Sequence, residues 1–121
     1  MECDDGTAAA LEEAGIFMWQ IDADLVFGDS AVAKVFGLSP SAVLKGLPLA
    51  DFIRRVHPGD RAALDQSISK AVDDGLPFNM DYRVLGQNDE PQLVMAMGRC
   101  FRSPDGRPAF YAGIVYPVEL L

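Results

Sequence analysis

The chain is poor in the residues that build metal and redox centres: it has one histidine, His57, and two cysteines, Cys3 and Cys100, far apart. Zinc sites draw on several such ligands, usually in close pairs, and no pair of that kind is present. Cys3 lies in the acidic opening MECDDG, so the two cysteines form no disulfide framework and favour a reduced, cytoplasmic setting. Basic residues are also scarce. Ten Lys and Arg, in no run, face 18 Asp and Glu, and the formal net charge of −8 repels phosphate backbones and anionic membranes. No nucleic-acid partner is expected. No apolar run approaches the roughly 20 residues that cross a bilayer, and the start lacks the basic, apolar, small-residue order of a signal peptide. No membrane insertion is expected either. Phosphate-binding glycine motifs are absent, Ser39 and Ser41 have no second histidine to serve them, and Asp22 and Asp24 sit in a predicted turn, where carboxylates are common. The chain is therefore read as non-catalytic.

What is present is an ordinary core. Half of the 121 residues are hydrophobic, enough for one domain and too few for two. Residues 7–14, TAAALEEA, are rich in helix formers but too short to be stable without a docking surface. IFMWQID over 16–22 then alternates as a strand, and LVFG follows as a second. DSAVAKVFG reads as a short helix capped by Asp29 or Ser30 and ended by Gly37; Ser39-Pro40-Ser41 and PLADFIRRV open two more turns.

Pro58 and Asp60 suit the first turn of a long helix over 58–74, with Leu64, Ile68 and Val72 as its apolar stripe and Gly75 as its end. His57 thus falls in the cap region. Beyond it, FNMDYRV alternates, PQLVMAMGRCFR is long enough for a strand, Asp105-Gly106 signals a hairpin, and AFYAGIVYPV supplies a last strand that Pro117 closes or leaves at an edge. The order predicts an α+β domain with helices on one face of an antiparallel sheet.

These segments, taken in order, resemble a PAS domain of the type common in bacterial sensor kinases and cyclic-di-GMP enzymes. The resemblance spans Gly15 to Val115 and rests on GIFMWQID, FGLS at 36–39, VHPGDR, FNMDYRV, SPDGRP and AGIV. It implies a five-stranded sheet in the order 2-1-5-4-3. It also implies a division into a flanking helical segment (1–14), the PAS domain (15–117) and a tail (118–121). The sequence departs from the pattern at Leu93, where the family usually has tryptophan, and at Asp89-Glu90, where Asp-Gly is usual. The final strand reads Tyr116-Pro117-Val118 in place of the Asp-Ile-Thr that often passes the signal onward.

Haem-binding members project their histidine from the long helix, whereas His57 precedes it, and flavin-binding members carry an Asn-Cys-Arg-Phe motif that LKGLPLADFIRRV lacks. No cofactor is expected. Cys100 is read as an ordinary strand residue. An unknown small apolar ligand is compatible with a cavity built from Trp19, Phe36, Phe52, Met80, Tyr82, Met95 and Met97, since methionine and aromatic side chains adapt to irregular spaces.

The functional expectation is a sensory and dimerising input domain of a two-component or related signal-transduction protein. Its effector, a histidine kinase or cyclic-di-GMP enzyme, would lie outside these residues; the alternative is a stand-alone small-molecule-binding protein. The homodimer is expected to use Ala9 and Leu11 of the N-terminal helix, Met18 and Gln20, and Tyr111 and Val115 if the last strand alternates in the matching register.

Overall fold

The computed structural model describes residues 14–86 and 89–118. Residues 7–13 of the predicted helix over 7–14, Ala9 and Leu11 among them, lie outside the described residues, and Ala14 is not helical. Nine elements follow one another: β1 (Gly15–Gln20), β2 (Leu25–Gly28), α1 (Ser30–Phe36), α2 (Pro40–Lys45), α3 (Leu49–Ile53), α4 (Pro58–Asp74), β3 (Phe78–Leu85), β4 (Pro91–Arg102) and β5 (Pro108–Pro117). All strand pairs are antiparallel, and the order across the sheet is β2-β1-β5-β4-β3. This is the expected topology.

The helices form where their caps dictate. Asp29 caps α1 by accepting from Val32 N at 3.0 Å, and its other oxygen accepts from Ile16 N of β1 at 3.1 Å. Gly37, at φ 67, takes the left-handed conformation that ends the helix. His57 caps α4: its Nδ1 accepts from Gly59 N at 3.0 Å, one residue after Pro58 opens the helix. Asp60 in the same turn holds both the backbone N–H and the guanidinium of Arg83, tying α4 to β3. At the other end of α4, Arg102 donates to the carbonyls of Val72 and Asp73.

Strand β1 ends two residues sooner than the alternation suggests, because Ile21–Asp24 form the turn. Asp24 sits at φ 53, and one of its carboxylate oxygens accepts from both the Trp19 indole N–H (3.1 Å) and Leu49 N (3.3 Å). That carboxylate fixes the turn against α3. Arg55 plays a similar part on the far side, donating to the carbonyls of Phe36, Leu85 and Gly86.

The core lies between the helices and the inner sheet face. Val32, Val43, Val56, Val84, Val94 and Val115 are the largest of its fully enclosed side chains. Leu64 and Ala71 of α4 are buried, with Ile68 and Val72 packed against them. One inner row runs Gly28, Phe17, Gly113, Gly98, Phe78 across all five strands. Two adjacent glycines thus leave a depression in the middle of the sheet, flanked by phenylalanines.

Candidate functional site

Tyr111 fills part of that depression. Its ring stacks on Phe17 at 6.1 Å between centroids and meets Trp19 (6.5 Å) and Phe78 (6.0 Å) edge-on. The helical wall opposite is set by Phe36 and Phe52, whose rings meet edge-on at 5.3 Å, with Leu49, Ile53, Leu64 and Ile68 around them. Between wall and sheet remains a cavity of about 60 Å³, lined by sixteen side chains that carry no charge.

Three lining side chains have a polar atom: Trp19, Tyr82 and Tyr111. The Trp19 indole N–H is taken by Asp24. The Tyr111 hydroxyl is buried without a hydrogen-bond partner, and the residue is only 3% exposed. A buried hydroxyl left in that state costs about 1–3 kcal/mol. Burial pushes both tyrosine hydroxyls well above the usual phenol range, with Tyr82 adding to the shift at Tyr111, so both stay protonated. The site offers neutral hydroxyls in apolar surroundings. It can hold a small uncharged molecule, and it has no residue set for bond-making chemistry.

The candidates named from sequence divide. Trp19, Phe36, Phe52 and Tyr82 line the cavity. Met80 lies on the inner face but only packs against the core from its edge. Met95 and Met97 are on the outer face, because Val94 and Ala96 are the residues of β4 that turn inward. The expected register of β5 is also corrected. Tyr111 and Val115, expected on the outer face, are buried at 3% and 0% exposure on the inner one. Tyr111 pairs with Trp19 and Val115 with Gly15, and partners across a ladder share a face. Phe110, Ala112 and Ile114 take the outer positions. Every residue of AFYAGIV is apolar or small, so alternation could not fix the phase; the pairing with Trp19 does.

Met18 and Gln20 lie on the outer face as expected. Around them it is more apolar than the sequence suggested: Ile16 is 66% exposed, Phe101 50% and Phe110 40%, with Met18 and Met97 also open. Pairing brings Ile16, Ile114 and Met97 into one row, and Gln20, Phe110 and Phe101 into another. The row between them runs Met18, Ala112 and Arg99, and the Arg99 guanidinium lies over the Phe101 ring.

Among the described residues, no three His, Cys, Asp or Glu side chains stand together as a metal site, and no helix is long and apolar enough to cross a membrane.

Comparison with known proteins agrees with this architecture. A family model described as the PAS fold matches residues 25–115, most of the chain. The protein belongs to the PAS family. Among solved structures, it is similar to the N-terminal domain of a diguanylate cyclase with PAS/PAC sensor from Marinobacter aquaeolei. The TM-score is 0.77 and the identity 15%, over 86% of this chain and 94% of that one. A sensory box histidine kinase/response regulator from Burkholderia thailandensis gives a TM-score of 0.76 at 16% identity, over 94% and 85%. A tryptophan-to-alanine variant of the PAS-B domain of Drosophila melanogaster Cycle, solved with glycerol bound, gives 0.69 at 18%, over 86% and 99%. At these identities the likeness is one of fold. No curated protein gives a significant match in sequence.

Proposed function

We propose that this PAS domain is a non-catalytic sensory and dimerising input module. It would serve a signal-transduction protein whose effector, a histidine kinase or cyclic-di-GMP enzyme, lies outside these residues. One observation carries the reading: β1 and β5 turn Phe17, Trp19 and Tyr111 into an apolar cavity and Ile16, Met18, Phe110 and Ile114 onto an open face. A side chain that shifts to admit a ligand on one face moves the strand that presents the other. Similar folds in a diguanylate cyclase and a histidine kinase support the effector class.

The dimer in this reading is isologous, with the outer faces of two copies and residues 7–14 of each, Ala9 and Leu11 among them, closing over the apolar rows. Light scattering at tens of micromolar tests it. The wild-type chain should be a dimer; Phe101→Glu, at a half-exposed position, should be a folded monomer, and deletion of residues 1–14 should also give a monomer of lower melting temperature. A wild-type monomer at that concentration would rule out the dimer.

A further inference from the structure

We infer that the cavity is built for an uncharged molecule of a few non-hydrogen atoms carrying one hydrogen-bonding group, a short-chain ketone or alcohol, with that group seated against the Tyr111 hydroxyl. This rests on reading the cavity as a ligand site and narrows its chemistry.

Size sets the first limit. At about 60 Å³ the space is well below the roughly 150 Å³ of a dry cavity that accepts benzene, so a haem, a flavin or a drug-sized ring system has no room. Charge sets the second. No lining side chain carries charge, so an ionised ligand would leave water with nothing to compensate it. Polarity sets the third. Of the three polar side chains, Trp19 is committed to Asp24, whereas Tyr111 is enclosed, held by Phe17, Trp19 and Phe78, and without a partner. A purely apolar ligand would leave that hydroxyl unpaired. A ligand with one carbonyl or hydroxyl oxygen satisfies it while its alkyl part meets Phe36, Phe52 and Leu64.

The test uses three probes on the full chain: xenon, acetone and acetate, followed by NMR shifts of the Trp19 indole and of backbone amides. Xenon should bind the wild type and Tyr111→Phe alike, since it needs only the space. Acetone should bind the wild type and lose affinity on the order of fivefold in Tyr111→Phe, the worth of one net hydrogen bond. Acetate, of similar size but charged, should not bind. The free Tyr111→Phe protein should melt no lower than the wild type, because the change removes an unpaired hydroxyl and keeps the ring. Failure of xenon to perturb lining residues would overturn the cavity reading itself. Xenon binding with equal acetone affinity in both proteins, a larger loss in Tyr82→Phe, or binding of acetate would overturn the assignment to Tyr111 and a neutral ligand.

Discussion

Gly98 and Gly113 face each other across the β4–β5 ladder, and neither has room for a side chain. A Cβ at Gly98 would stand 2.7 Å from the Ala112 carbonyl oxygen and 3.0 Å from the Tyr111 ring; one at Gly113 would run into the Met97 carbonyl. The pair lets the Tyr111 ring lie low on the sheet, and the cavity floor depends on it.

Gly98→Ala should therefore destabilise the fold by about 2 kcal/mol, as overpacking a filled site does. Urea denaturation followed by Trp19 fluorescence measures it. An alanine that cost nothing would mean that the strands separate freely at this row.

His57→Ala removes the acceptor at the start of α4 and should cost about 1 kcal/mol, the usual loss for a helix cap. The visible absorbance of the purified protein should be the same before and after. A Soret band that vanished in the variant would give His57 a ligand's role in place of a cap.

Asp60 predicts the acid limb of the stability curve. The Arg83 guanidinium and then the Arg83 N–H, both bonded to its carboxylate, hold its pKa at about 2, below the ordinary 3.8. A carboxyl lowered in the folded state adds stability that is complete above the unfolded value and is lost as pH falls through the folded one. The window runs from pH 3.8 down to about 2. Asp60→Asn should be less stable than the wild type at neutral pH, and the difference should shrink across that window. Since the pair is partly exposed, solvent screening keeps the effect modest. An equal deficit at acid and at neutral pH would show that the carboxylate charge plays no part.

The segments with strong local signals are legible in the sequence alone. Pro58 and Gly75 bracket α4 where the sequence places it, Asp29 and Gly37 bracket α1, and FNMDYRV turns Tyr82 inward as its alternation requires. Two strands mislead. PQLVMAMGRCFR and AFYAGIVYPV are apolar on both faces, so a period of two gives no phase, and their long-range partners Tyr82 and Trp19 set it. That ambiguity carries Met95 and Met97 into the expected cavity and Tyr111 out of it. The roles of Asp24 and Arg55 are hidden for a related reason. Each joins segments distant in sequence, and a single polar residue in a turn does not announce its partners.

Coupling between the cavity and the outer sheet face, carried by β1 and β5, is the central claim. The most direct test is the methyl NMR spectrum of Ile16, Met18, Met97 and Ile114 with the cavity empty and then filled by xenon under pressure. Coupling predicts that these outer-face methyls shift together with the lining residues and follow the same saturation curve. Shifts confined to the lining, with all four outer methyls unmoved at full occupancy, would contradict it.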